Sequence, residues 1–250
     1  MVRSGDWLVV HSPRQATALR VVALPHAGGS AGYYTWLRDG LEPDEELVCA
    51  QYPGRQERRH EPPAIDIEEA VAHLADAVTA LPPVPTILFG HSMGAALAFE
   101  LALELGRRGA PVAGLVASGR RAPGRRPPIP RQAPDDAEVL AAMRRLGGLD
   151  PAVLRDPDVL AMLLPVLRAD SALAESYRPV PGSVVDCPIT VLTGRDDPLV
   201  SQEDAHAWAA HTTANATVHV LPGGHFFFDR DRAAVLGAVC STVDTARQRA

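Results

Sequence analysis

The 250-residue sequence contains no lysine: all 24 of its basic side chains are arginine. That excludes a P-loop lysine for nucleotide phosphates, a Schiff-base lysine and a Ser-x-x-Lys nucleophile pair. Cysteine is scarce, with Cys49, Cys187 and Cys240 widely spaced and no C-x-x-C pair. This argues against a disulfide frame or a zinc site and for a reducing compartment. No H-E-x-x-H or comparable ligand spacing occurs, so no metal and no bound cofactor are expected. No apolar run approaches the roughly 18 residues that span a bilayer. The first residues lack the apolar stretch of a signal peptide, so a soluble cytoplasmic protein is expected, without membrane association. The formal net charge of −6 lacks the basic excess of a nucleic-acid binder.

What is present is ordinary globular material, 46% hydrophobic and 22% charged. Short Val/Leu/Ile-rich runs closed by Gly or Pro predict strands at 19–24, 46–51, 86–89, 112–118, 188–193 and 216–221. Helical periodicity fills the intervals. From Ile67 the apolar positions are 67, 70, 71, 74, 77, 78 and 81, one face of a 3.6-residue repeat, and Asp66 with Glu69 signals a capping box. Further helices fit 93–107, 201–210 and 231–246. Strands alternating with helices imply an α/β fold, a mostly parallel sheet covered on both faces. Val9-Val10 suggests an added antiparallel edge strand. The stretch from Arg120 to about Pro181 breaks the alternation: a Pro/Arg-rich loop precedes short helical patterns at 135–146, 156–167 and 170–177. Residues 1–250 therefore read as one domain, with a helical lid insertion at about 121–181.

Gly90-His-Ser92-Met-Gly94 is a G-x-S-x-G motif directly after a predicted strand and directly before a predicted helix. A nucleophile elbow needs that context, because the serine sits on a strained turn between close-packed elements. A serine hydroxyl also needs a general base, itself oriented by an acid. In the order Ser, acid, His, the chain offers Asp196 and Asp197 after the 188–193 strand and His225 after the 216–221 strand. Asp197 is preferred, lying three residues after Gly194 with Val200 three further on. Asp196 remains the competitor. Two backbone N–H groups must hold an oxyanion. Met93 follows the nucleophile, and Ala27 lies in the glycine-rich turn Pro25-His-Ala-Gly-Gly-Ser30. His26, His60, His91 and His219 read as structural, with His91 packed into the elbow.

These blocks resemble the type II thioesterases that accompany modular polyketide synthases and nonribosomal peptide synthetases. The likeness extends through Leu24 to Gly29 with Tyr34 and Trp36, Gln51-Tyr-Pro-Gly-Arg55 with Arg58 and Glu61-Pro62, and Phe89 to Gly94 with Phe99-Glu100. It continues through Ser118-Gly-Arg120, Leu146-Gly-Gly148, Leu164-Pro165 with Arg168-Ala-Asp170 and Tyr177, Gly194 to Val200, and Leu221 to Phe227. The Gln51–Arg55 block and the lid residues are the restrictive part. The resemblance implies an α/β-hydrolase fold and hydrolysis of acyl groups from the phosphopantetheine thiol of acyl or peptidyl carrier proteins. It would clear stalled or misprimed units in antibiotic biosynthesis through a Ser92–His225–Asp197 triad and an acyl-serine intermediate. The enzyme is expected to be a monomer. Tyr33, Tyr34 and Trp36 are expected to shape the substrate pocket. Five arginines and no acidic residue lie between 120 and 131, suggesting electrostatic steering of an acidic carrier. The alternatives are a generic carboxylesterase or lipase with the same triad and a non-catalytic hydrolase-fold binding protein.

Overall fold

The computed structural model describes residues 2–4, 6–11, 16–125, 135–148 and 155–248. Eight strands form one sheet: β1 (Val2–Ser4), β2 (Leu8–Val10), β3 (Leu19–Leu24), β4 (Glu45–Ala50), β5 (Thr86–His91), β6 (Gly114–Ser118), β7 (Ile189–Gly194) and β8 (Ala216–Leu221). Their order is β1-β2-β4-β3-β5-β6-β7-β8. From β4 through β8 every neighbouring pair is parallel, whereas β1–β2 and β2–β4 are antiparallel. The Val9-Val10 segment is thus antiparallel as expected, but it is not the edge, because β1 pairs outside it.

The strand interiors read as nearly continuous apolar runs because both faces are covered. Along β3, Val22 and Leu24 belong to one core and Val21 and Ala23 to the other, as the two-residue period of a strand requires. Helices α1 (Ile67–Thr79) and α2 (Met93–Arg107) contribute to the first core, together with Trp208. The second core is covered by α6 (Arg232–Arg247) and by the 3₁₀ segment Ala31–Gly40. At the start of α1, Asp66 accepts from the Glu69 N–H at 2.9 Å, which is one half of the expected capping box.

Between β6 and β7 lie α3 (Asp136–Leu146) and α4 (Pro157–Ser176). The sequence suggested two short helices where α4 runs unbroken for 20 residues. Pro165 lies inside it and withholds one N–H from the helix ladder. Packing overrides that loss: Val166, Leu167, Asp170 and Leu173, spaced as one helical face, are all buried. The 201–210 helix is also shorter than its pattern. It resolves into α5 (Gln202–His206) followed by a 3₁₀ turn, Ala207–His211. Among the described residues, no helix is long and apolar enough to cross a membrane.

Two glycines of α2 have opposite surroundings. A Cβ on Gly94 would lie 2.0 Å from the Leu24 carbonyl oxygen, where α2 is pressed against the end of β3, whereas one on Gly106 would meet nothing within 4 Å. The same substitution should therefore change sign along one helix. Gly94→Ala is expected to cost about 1–3 kcal/mol by forcing backbone apart, and Gly106→Ala to add about 0.5–1 kcal/mol. Urea unfolding of both variants measures this; a stable Gly94→Ala protein would contradict the close approach.

Candidate functional site

Ser92 joins the end of β5 to the start of α2, and its φ of 56° and ψ of −113° lie in a region that residues with a Cβ avoid. The strain is held by neighbours. The Ser92 N–H donates to the Ser118 carbonyl at 2.8 Å, and its own carbonyl accepts from Ala95 at 3.1 Å. A Cβ on Gly90 would lie 2.2 Å from the Gly94 carbonyl oxygen, so the two glycines of the motif permit the turn by closing on each other. Ser92 lines a small cavity of about 20 Å³ with Gly119, Arg120, Arg121, Leu199 and Val200.

Parallel pairing sets Leu24 beside Gly90, His91 beside Ser118, and Gly194 beside Leu221. The loops leaving β3, β5, β6, β7 and β8 therefore share one edge of the sheet, where open parallel sheets bind ligands. On that edge His225 Nδ1 and Asp197 Oδ2 are 2.8 Å apart, with side chains only 2% and 0% exposed. Asp197 Oδ1 accepts from the Leu199 N–H at 2.8 Å, which fixes the carboxylate plane. Asp196 is exposed and offers its N–H to the Gly223 carbonyl at 2.9 Å. The acid loop and the histidine loop also touch through backbone, since a Cβ on Gly194 would lie 2.1 Å from the Gly224 carbonyl oxygen. The structure thus brings Asp197, not Asp196, to His225.

The Pro25–Ser30 turn is tied down on several sides. Its Gly29 N–H donates to the His26 carbonyl at 2.9 Å, and its Gly28 N–H donates to Asp170 Oδ2 of α4 at 2.7 Å. Arg55 forms a two-pronged pair with Asp170, at 2.7 and 2.9 Å, and donates to the Gly29 carbonyl at 3.1 Å. Gln51 accepts from the Ala31 N–H at 2.9 Å. Half-buried Ala27 lies within this braced turn, and Met93 opens α2, where N–H groups have no helical acceptor. Sequence reasoning did not foresee this bracing. Its signal was present in the Gln51–Arg55 and Arg168–Asp170 blocks, but their meeting across 115 positions is legible only in the fold.

Behind His225 stands an aromatic layer. The His91 ring is 4.9 Å from that of His225, and its Nδ1 is 2.9 Å from Ser118 Oγ, so His91 packs beneath the elbow as expected. His26 Nδ1 is hydrogen-bonded to the Tyr34 hydroxyl at 2.7 Å. Two of the three aromatics expected to shape the pocket, Tyr33 and Tyr34, pack against His26 of the Pro25–Ser30 turn. Tyr34 and Trp36 are buried in the second core against Phe228, and Tyr33, partly exposed, donates its hydroxyl to Asp229 at 2.9 Å. None of the three lines the Ser92 cavity.

Of the described arginines in the 120–131 stretch, Arg120 and Arg121 turn inward and Arg125 stays on the surface. Arg120 donates to the Ala174 carbonyl at the end of α4 and sits over the Tyr177 ring. Desolvation, with Arg121 alongside, pulls its pKa down to about 10, so it stays charged at neutral pH. Arg121 donates to the Leu199 carbonyl, and Arg125 pairs with Glu203 and Asp204. Arg126 and Arg131 lie outside the described residues. Arg120 and Arg121 are thus engaged inside the fold, while Arg125 is exposed and paired with surface carboxylates.

A family model described as a thioesterase domain matches residues 19–246. The chain is 43% identical to a probable cadicidin biosynthesis thioesterase of Streptomyces griseus, over 93% of this chain and 64% of that protein. It is 39% identical to the thioesterase PikA5 of Streptomyces venezuelae, over 91% of this chain and 82% of that protein. Among solved structures it superposes on the type II thioesterase BorB of the borrelidin biosynthetic cluster with a TM-score of 0.88. That match has 39% identity and covers 97% of this chain and 99% of the other. YbtT, a type II thioesterase of the yersiniabactin pathway, gives 0.85 at 29% identity, covering 96% and 99%. The architecture shared with these structures is the α/β-hydrolase fold expected from the sequence.

The buried histidines make stability depend on pH. Burial first, then the neighbouring His225 and Arg55, lowers the pKa of His26 from 6.5 to about 3, and burial likewise holds His91 well below its usual value. Both rings stay neutral in the folded chain while the unfolded chain protonates them, so stability falls as pH drops from about 6.5 towards 3. Each such group contributes a slope of up to about 1.4 kcal/mol per pH unit. Urea unfolding between pH 6.5 and 4.5 should show a slope shallower by about that amount in His26→Asn. Equal slopes would mean that His26 is not held neutral.

Proposed function

Because the chain belongs to the thioesterase family, we propose that it hydrolyses acyl thioesters. Its substrates are acyl groups on the phosphopantetheine thiol of acyl or peptidyl carrier domains, in polyketide or nonribosomal peptide synthesis. The observation that carries the reading is the buried His225–Asp197 pair, on the sheet edge where Ser92 occupies its strained elbow. Several relatives belong to such systems by name, among them the antimetabolite synthetase AmbE and the gramicidin S biosynthesis protein GrsT. Clearing stalled or misprimed carrier-bound units is the role that the likeness to type II thioesterases favours. Its place of work is then the cytoplasm, beside the synthase.

The chemistry follows from the positions. Ser92 Oγ attacks the thioester carbonyl and its proton passes to His225 Nε2, the ring nitrogen that Asp197 leaves free. The Met93 and Ala27 N–H groups hold the negative oxygen of the tetrahedral intermediate. Collapse breaks the C–S bond, and His225 returns the proton to the departing thiolate. Water, deprotonated by His225, then attacks the acyl-Ser92 ester and regenerates the serine. A thiol leaves easily, so the demand falls on positioning and on the oxyanion donors. The α3–α4 segment acts as the lid. Its far end is fastened by the Tyr177 hydroxyl, which donates to Glu100, and by Arg120.

A hydrolysis panel of acyl-carrier proteins, beside N-acetylcysteamine thioesters and aryl esters, tests the reading. Ser92→Ala should lower kcat by about 10⁶-fold, to background. Asp197→Asn should lower it by about 10⁴-fold, while Asp196→Asn stays within about twofold. A fluorophosphonate should label wild type and not Ser92→Ala. Preference for aryl esters over carrier-bound thioesters would favour a general esterase, and absence of labelling would favour a binding protein.

A further inference from the structure

We propose that Asp170, carried on the lid helix α4, is a positioning residue for the reaction. It holds the Gly28 N–H, with Arg55 as its counter-ion, and so keeps the Pro25–Ser30 turn in the shape that presents the Ala27 N–H to the oxyanion. The inference rests on the thioesterase reading for what the turn does, and on geometry for what holds it.

The Ala27 N–H lies in the plane of the His26–Ala27 peptide, whose carbonyl accepts from the Gly29 N–H at 2.9 Å. The following peptide, Ala27–Gly28, is held through the Gly28 N–H, which donates to Asp170 Oδ2 at 2.7 Å. Beyond it the Gly29 carbonyl is held at 3.1 Å by the Arg55 guanidinium that also grips Asp170 with both prongs. One ion pair thus clamps a donor and an acceptor of the same turn. Asp170 and Arg55 are only 2% and 7% exposed, and buried charges of this kind are found where both partners are satisfied. Arg55 is itself seated by the Pro53 carbonyl and lies over the Tyr52 ring, whose hydroxyl donates to the Pro25 carbonyl at the start of the turn.

The helix also presses on the turn. Leu167, one turn before Asp170 on the same face of α4, leaves no room for a side chain at position 28: a Cβ there would meet its Cδ2 at 2.4 Å. Gly28 has a φ of +77°, which glycine adopts freely and other residues rarely do. A glycine imposes no shape of its own, so the turn keeps this shape through its contacts, and one of those contacts is the lid. When α4 leaves its seat, the Gly28 N–H loses its acceptor and Arg55 its partner. The oxyanion donor is therefore in place when the lid helix is seated, which couples access to the site with competence for hydrolysis.

The test uses the full chain with Asp170→Asn, which keeps an oxygen acceptor without the charge, and Asp170→Ala, which removes both. Three measurements are made on each: kcat and KM for a small N-acetylcysteamine thioester, inhibition by an alkylboronic acid that adds to Ser92 Oγ as a tetrahedral anion, and backbone amide exchange of residues 24–31. Asp170→Ala should lower kcat about 100-fold with KM within threefold, in keeping with loss of one oxyanion donor. Boronate binding should weaken by a similar factor, and exchange should quicken in 24–31 but not in β5 or α2. Asp170→Asn should lie between it and wild type. A folded variant with kcat within threefold of wild type, or weakened catalysis with unchanged boronate binding, would overturn the proposal. Should Asp170→Ala fail to fold, Asp170→Asn decides by the same criteria. Should wild type neither hydrolyse thioesters nor label at Ser92, the functional reading fails by itself. Unchanged exchange at 24–31 in Asp170→Asn would then overturn the clamp, and faster exchange would uphold it.

Discussion

The carboxyl edge of the sheet works by backbone pressed against backbone. At three points the approach is too close for any Cβ: Gly94 against the Leu24 carbonyl, Gly90 against Gly94, and Gly194 against Gly224. The first brings the start of α2 onto the end of β3, and so sets Met93 near the Pro25–Ser30 turn. The second makes the elbow at Ser92 possible. The third locks the acid loop to the histidine loop. Loops that leave four different strands are brought to one edge because these contacts leave no slack. Side-chain hydrogen bonds, such as His225 to Asp197, then refine a geometry that the main chain has already imposed.

Charge is buried here on terms that suit arginine. Arg55 satisfies a carboxylate with two prongs and reaches the Pro53 and Gly29 carbonyls as well. Arg58 spans the Gln51 carbonyl and both oxygens of Glu61, and it lies over the Trp7 ring. Arg20 joins Glu46 to the Pro82 carbonyl. Each position uses several N–H groups in a fixed plane, and Arg55 and Arg58 also use a flat face, over Tyr52 and Trp7. A lysine ammonium is a compact point charge and could not replace any of them. The absence of lysine, which excludes whole mechanisms when the sequence is read alone, is thus compatible with a protein whose interior depends on forked cations. The same property lets Arg120 and Arg121 be held by carbonyls of the chain itself, so part of a run of arginines serves the interior.

What was legible from sequence divides along a physical line. Local pattern carried the parallel strands to within about two residues, because both-face burial writes continuous apolar runs, and it carried α1 and α2 through their 3.6-residue period. It carried Ser92 through the strand–elbow–helix context, and the pairing of Asp197 with His225 through loop spacing. It failed where tertiary contact overrode local preference. The pattern gave separate helices at 156–167 and 170–177, yet the buried face from Val166 to Leu173 carries α4 through the gap between them. Val9-Val10 read as an edge because β1 is only three residues long. The 3₁₀ segment buries Tyr34 and Trp36 in the second core, a placement that no local pattern announced. The Arg55–Asp170 contact had no local signature whatever, since it joins positions 115 apart.

That contact also bears on selectivity, given the function and the clamp proposed above. A hydrolase that cleared every carrier-bound acyl group would defeat the synthase it served, so restraint would matter as much as rate. An oxyanion donor held permanently in place would act on whatever entered. A donor whose turn is braced by the lid helix would be complete only in the seated state, and substrates that could not be accommodated beneath a seated α4 would meet an incomplete site. Selectivity of this kind would need no pocket of exact complementarity to each acyl group. It would require that the energy of seating α4 be shared with the turn at Gly28, and the buried pair between Arg55 and Asp170 is the contact that joins the two.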